Sequence, residues 1–121
     1  MAAEKILIVD DEPDVARTMQ LILKHEGLPA GIALGGKEAL KRLDACDLVL
    51  LDMMMPNMSG KQVLEDMRDR HIRKQVILVS ASGLTEALKR ELAAIYPGIG
   101  FVSKAHIAEQ LIPAVKKALG K

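Results

Sequence analysis

The sequence predicts an α/β fold: a five-stranded parallel sheet covered by helices on both faces, in a doubly wound (βα)5 arrangement. Two observations carry this. Four short runs are almost continuously apolar: Ile6-Leu7-Ile8-Val9, Leu48-Val49-Leu50-Leu51, Val76-Ile77-Leu78-Val79 and Ile99-Gly100-Phe101-Val102. Their length and β-branched content favour strands, and their lack of polar alternation means burial on both faces. The segments between them repeat apolar residues at helical spacing. Strand and helix in alternation imply parallel strands joined by right-handed crossovers.

The elements follow in order. After the first strand, Pro13 suits the first position of a helix, with Glu12 or Asp11 as its cap. Val15, Met19, Ile22 and Leu23 form one face of that helix, and Gly27 ends it. Pro29 to Leu34 is a weaker strand, and its proline puts it at the sheet edge. Gly36 to Leu43 forms a short second helix. Ser59 caps a third that carries Val63, Leu64 and Met67. Thr85 caps a fourth that ends near Tyr96-Pro97-Gly98. Ile107, Leu111, Val115 and Leu119 stripe a fifth. Pro113 falls within that stripe, so the last helix either starts late or bends.

A chain of 121 residues, half of them hydrophobic, reads as one domain spanning residues 1–121 with enough apolar side chains for a core. Seventeen basic and sixteen acidic residues leave a formal charge of +1, so there is no global pull on nucleic acid or an anionic membrane. Aromatic residues are too few for base-stacking platforms. Cys46 is the only cysteine, which excludes an internal disulfide and a thiolate metal cluster. No apolar run approaches the roughly 18–20 residues that span a bilayer, and Met1-Ala2-Ala3-Glu4-Lys5 lacks a signal-peptide pattern. The expected location is the cytoplasm. His25, His71 and His106 are scattered and read as surface residues.

The chemistry gathers where strands end. Asp10, Asp11 and Glu12 follow the first strand, Asp52 the third, Ser80 the fourth and Lys104 the fifth. Each has an ordinary reading alone: acids before a helix favour its dipole, a serine after a strand makes a turn bond, a lysine is solvated. In a doubly wound sheet, however, the carboxyl ends of the strands line one crevice. Crowded carboxylates repel one another and raise each other's proton affinity. A hard divalent cation such as Mg²⁺ resolves that repulsion and completes its shell with water and a phosphoryl oxygen. The same turn argues against a dinucleotide or flavin site, because Asp10-Asp11-Glu12-Pro13 stands where a glycine-rich phosphate loop would be needed. The Met53-Met54-Met55 run reads as core filling.

With these residues in view, the chain resembles response-regulator receiver domains over essentially its whole length. The matching segments are Ile6 to Pro13, Gly36 to Leu40, Leu50 to Gly60, Val79-Ser80-Ala81, and Lys104. The resemblance implies a flavodoxin-like strand order of 2-1-3-4-5. It implies Asp52 as phosphoacceptor from a histidine kinase or phosphotransfer protein. It implies Mg²⁺ held by Asp11, Asp52 and the backbone carbonyl of Met54, with Asp10 acting through a water. Lys104 would pair with the phosphoryl oxygens, Ser80 would donate its hydroxyl to them, and Ser80 with Phe101 would form a switch. Output would pass to a downstream protein through the face of the fourth helix, fifth strand and fifth helix, without direct nucleic-acid or membrane contact. The chain would be a stand-alone signalling module, an enzyme only toward its own phosphorylation and dephosphorylation.

Some positions depart from the family pattern. Ala105 follows Lys104 where a cis-proline is usual, and a cis bond to alanine would cost about 3–4 kcal/mol. Phe101 lacks a hydroxyl, and Tyr96 to Gly100 replaces a turn of small residues. Met54 and Ser82 stand where side chains line the approach of hydrolytic water in relatives. Two other functions compete. A degenerate receiver that only binds partners would be expected to lack Asp11, Asp52 or Lys104, and all three are present. A flavodoxin-like or phosphatase-type enzyme would be supported by a phosphate loop and a stacking aromatic, and neither is visible.

Overall fold

The computed structural model describes residues 5–81 and 83–121. Strands β1 (Ile6–Val9), β2 (Ala30–Ala33), β3 (Leu48–Asp52), β4 (Gln75–Ser80) and β5 (Gly100–Ser103) alternate with helices α1 (Pro13–His25), α2 (Gly36–Arg42), α3 (Gly60–Asp69), α4 (Glu86–Ile95) and α5 (Ile107–Ala118). All strand pairs are parallel, in the order β2-β1-β3-β4-β5. One-turn 3-10 segments follow α2, at Leu43–Ala45, and precede α5, at Lys104–His106.

The continuous apolar runs are buried on both faces, as their pattern requires. Along β1, Leu7 and Val9 join a cluster with Val63, Leu64, Met67 and Leu92, whereas Ile6 and Ile8 join one with Met19, Leu23, Leu111 and Val115. Strand β2 lies at the edge, and Pro29 sits just before it rather than within it. Two side chains seal that edge: Gln20 Nε2 donates to the Ala30 carbonyl at 2.8 Å and Arg42 Nη1 to the Ile32 carbonyl at 2.5 Å. Strand β5 starts one residue later than its apolar run, at Gly100.

Pro13 opens α1, but Glu12 at the cap position makes no side-chain capping bond. Asp10 Oδ1 instead accepts the Glu12 N–H at 2.9 Å, drawing the turn onto the end of β1. The buried face of α1 is Ala16, Met19 and Leu23, with Val15 and Ile22 at its margin. At its end Gly27 adopts φ +73°, and the Gly27 and Leu28 N–H groups donate back to Lys24 and Leu23. Ser59 and Gln62 form a reciprocal capping box on α3, and Thr85 Oγ1 accepts the Leu88 N–H on α4. Helix α5 begins at Ile107, so Pro113 is internal and a late start is excluded. Pro113 has no N–H to donate to the Glu109 carbonyl, yet the helix runs on to Ala118.

Candidate acidic site at the carboxyl end of the sheet

Strands β1 and β3 are neighbours paired Val9 to Leu51, so Asp10 and Asp52 leave the sheet side by side. Both are buried. Lys104 comes from the end of β5 and reaches them: Nζ lies 2.9 Å from Asp10 Oδ2, 3.2 Å from Asp52 Oδ1 and 3.7 Å from Glu12 Oε1. Its side chain is only 12% exposed. No cis peptide occurs among the described residues, so the Lys104–Ala105 bond is trans and the lysine still reaches both acids.

Burial pushes the Asp52 carboxyl up to about 6, and the neighbouring Asp10 adds to the rise; Lys104 and the Met54 backbone N–H oppose it. Repulsion alone would have been expected to lead; burial at the end of a central strand leads instead. For Lys104, burial favours the neutral amine, but the ion pairs with Asp10 and Asp52 outweigh it and its proton is held more tightly than usual. Asp52 is therefore largely ionised near neutral pH and Lys104 fully so. Asp52 Oδ2 is buried without a hydrogen-bond partner. Asp10 Oδ2 makes no hydrogen bond and has its ion pair with Lys104.

Asp11 is half-buried beside them, and oxygens of Asp10, Asp11 and Glu12 lie within 4.8 Å of one another. Asp52 is not in that set. An all-oxygen donor group next to a buried, unpartnered carboxylate oxygen fits a hard divalent cation. The loop after Asp52 is folded tightly against it. Gly60 N–H donates to the Met53 carbonyl at 2.8 Å, and a Cβ on Gly60 would stand 2.5 Å from the Asp52 carbonyl oxygen, so only glycine fits. Asn57 turns this loop with φ +69°. Met53 and Met55 pack against the core, but Met54 is 75% exposed and fills none of it.

Ser80 ends β4 in a buried position, one residue past the Asp52–Val79 register pair. It lines a cavity of about 200 Å³ with Phe101, Leu84, Lys89, Ser103 and Gln110. Phe101 is half-exposed, with Lys89 Nζ 5.7 Å from its ring centre. The structure thus brings Asp10, Asp52 and Lys104 into contact and sets Ser80 and Phe101 on one cavity. Ser82 lies outside the described residues. His25, His71 and His106 are exposed, as expected. Sequence reasoning missed the approach of Glu12 to Lys104 and the two residues, Ser103 and Gln110, that bond around Lys104. It quoted Gly60 only as part of a motif; a glycine eight residues past an acid at a strand end was the available signal.

Residues 6–116 match the family described as response regulator receiver domain. The sensory transduction protein RegX3 of Mycobacterium tuberculosis is 35% identical over 118 residues, covering 94% of this chain and 50% of that protein. The transcriptional regulatory protein YkoG of Bacillus subtilis is 34% identical over 94% of this chain and 50% of its own length. The chain spans about half the length, or less, of the curated relatives it matches. Among solved structures, the response regulator TrrA of Thermotoga maritima in complex with Mg²⁺ and BeF superposes with a TM-score of 0.80 at 31% identity, covering 95% of this chain and 98% of that one. A Francisella response regulator receiver domain superposes with a TM-score of 0.86 at 27% identity, covering 97% of each chain. No helix of the described residues is long and apolar enough to cross a membrane. With its 2-1-3-4-5 sheet and its acidic pocket, this chain belongs to the response regulator receiver domains of two-component systems, a family phosphorylated on aspartate and binding Mg²⁺ at such a pocket.

Proposed function

We propose that Asp52 is the phosphoacceptor of this receiver domain. The observation that carries this is its carboxylate: buried at the end of β3, largely ionised, with one oxygen on Lys104 and the other without a hydrogen-bond partner. An ionised carboxylate oxygen with a free lone pair is a nucleophile. It attacks the phosphorus of a phosphohistidine on a histidine kinase or phosphotransfer protein. The P–N bond breaks, a P–O bond to Asp52 forms, and the imidazole leaves with the electron pair. The product is a mixed anhydride, and its hydrolysis returns the carboxylate and releases phosphate. The protein thus acts only on its own phosphorylation state.

The other residues position and neutralise the transferred group. Lys104 supplies a fixed positive charge beside Asp52. Ser80 supplies a hydroxyl from the neighbouring strand. Asp11, Asp52 and the Met54 backbone carbonyl would hold Mg²⁺, with Asp10 acting through water. When bound, Mg²⁺ supplies positive charge that offsets the clustered acids and the phosphoryl oxygens. The cavity between Ser80 and Phe101 supports the switch: a Ser80 drawn toward the phosphoryl group leaves space for the Phe101 ring to turn inward. That turn would alter the surface of α4, β5 and α5, where a downstream protein would bind. The location consistent with such signalling is the cytoplasm, with no direct contact to nucleic acid or membrane.

The test is incubation with Mg²⁺ and a small acyl phosphate, read by intact mass and amide shifts. The wild type should gain one phosphoryl group, with shifts reaching Phe101, and Asp52→Asn should gain none. A normal adduct on Asp52→Asn, or mapping to Asp10 or Asp11, would overturn the assignment.

A further inference from the structure

Lys104 has a long, flexible stem, so where its ammonium stands depends on where its backbone is held. That backbone lies in a one-turn 3-10 segment between β5 and α5. Both flanking residues are tied by side chains. The Ser103 N–H donates to Gln110 Oε1 of α5 at 3.0 Å. The Ala105 N–H donates to Ser103 Oγ at 3.2 Å. The second bond exists because residue 105 is not proline, which has no N–H. Ser103 is also the register partner of Ser80 across β4 and β5. One serine therefore joins the last residue pair of the sheet, the turn that bears Lys104, and the helix that follows.

We propose that Ser103 and Gln110 are positioning residues for Lys104. Gln110 fixes the residue before the lysine and the Ser103 hydroxyl fixes the residue after it. Together they hold Nζ against Asp10 and Asp52 and so set the rate at which Asp52 takes up a phosphoryl group. The inference rests on the role given to Lys104 above. Its physical basis is the steep dependence of group transfer on placement, by which a shift of about 1 Å can slow a reaction about a hundredfold.

The experiment measures phosphorylation by a small acyl phosphate with Mg²⁺, alongside the thermal midpoint, in six variants. Lys104→Ala should slow the reaction most. Ser103→Ala and Gln110→Ala should each slow it about three- to tenfold, the loss matching one hydrogen bond of roughly 1 kcal/mol. Ser103→Thr, which keeps the hydroxyl, should restore the wild-type rate. In the Ala105→Pro background, Ser103→Ala should slow nothing further, because no N–H remains for the hydroxyl to accept. A slow Lys104→Ala beside wild-type rates for Ser103→Ala and Gln110→Ala would overturn the brace and leave the role of Lys104 standing. A wild-type rate for Lys104→Ala would overturn that role itself. A loss in Ser103→Ala that follows the thermal midpoint and is not rescued by threonine would show ordinary support of the fold and also overturn the brace. If Ala105→Pro does not fold, the threonine rescue decides.

Discussion

The two ends of the sheet treat their polar groups in opposite ways. At the amino end the chain closes on itself. Asp47 N–H donates to the Lys5 carbonyl at 2.8 Å, Lys5 N–H returns to Asp47 Oδ2 at 3.1 Å, and Gln75 N–H donates to the Asp47 carbonyl at 3.2 Å. The Tyr96 hydroxyl accepts the Lys74 N–H and faces the Lys74 carbonyl, both at 2.7 Å. Strands β1, β3 and β4 and the lead into β5 are thereby stitched together by satisfied groups. At the carboxyl end, two buried carboxylates share one ammonium, and a buried oxygen of Asp52 has no hydrogen bond. Unmet hydrogen bonding inside a protein costs stability, so an end arranged this way holds its lone pairs ready for a ligand. One sheet thus carries an anchoring end and a reactive end.

The largest expected effect on this contrast comes from neutralising the reactive end. The folded state raises the Asp52 carboxyl to about 6, from an ordinary value near 4. The folded protein therefore holds that proton more tightly than the unfolded chain does. The associated stabilisation is fully present below pH of about 4 and is lost as pH rises to about 6. Asp52→Asn has no such loss. In metal-free buffer its stability advantage should grow across that window, reaching on the order of 2–3 kcal/mol at neutral pH. Urea unfolding at pH 4 and 7.5 reads this directly, and a difference that does not change with pH would contradict it. Added Mg²⁺ should narrow the gap by stabilising the wild type alone.

A smaller effect is expected at the anchoring end. Tyr96→Phe keeps the ring in place and removes the hydroxyl from the Lys74 backbone. The cost should be about 1 kcal/mol, with water in the adjoining open pocket supplying part of what is lost. Phosphorylation should proceed at the wild-type rate, since the change lies at the far end of the strands. A stability change within error would remove the Tyr96 hydroxyl from the anchor, and a slowed phosphorylation would mean the two ends are not independent.

How much of this was legible beforehand follows the same division. Strands β1, β3 and β4 could be read because burial on both faces leaves no polar alternation, and Asp10 and Asp52 stood out as acids ending such runs. The reach of Lys104 could not be read from its neighbours. A lysine after a strand is usually solvated, and the bonds around this one run from Ser103 to Gln110, in separate elements. Its place at a strand end put it on the rim of the crevice, and the family resemblance gave it a role there. Tyr96 read as an unusual turn, because its partner Lys74 lies 22 residues upstream, across α4 and β4. Pro113 left two outcomes open because proline forbids one hydrogen bond without saying whether packing will carry the helix past it. Here Leu111 and Val115, both buried against the sheet, flank it.

The smallest expected effect concerns the mouth of the reactive end, where Met54 follows Asp52 by two residues. Its side chain is 75% exposed, so core packing does not explain its presence. A thioether has almost no power to hold water, and a flexible exposed one shields an approach only part of the time. Hydrolysis of the Asp52 phosphoryl group should therefore be slower than with a hydrogen-bonding side chain at this position, but modestly so. Met54→Asn should accelerate dephosphorylation about threefold at fixed Mg²⁺, equivalent to less than about 1 kcal/mol of barrier. Combining it with Ser82→Glu should add a further gain if both side chains meet the same water. An unchanged or slower rate in Met54→Asn would remove Met54 from the hydrolytic path. The lifetime of the phosphorylated state would then be set deeper in the pocket, by Lys104 and the acids around it.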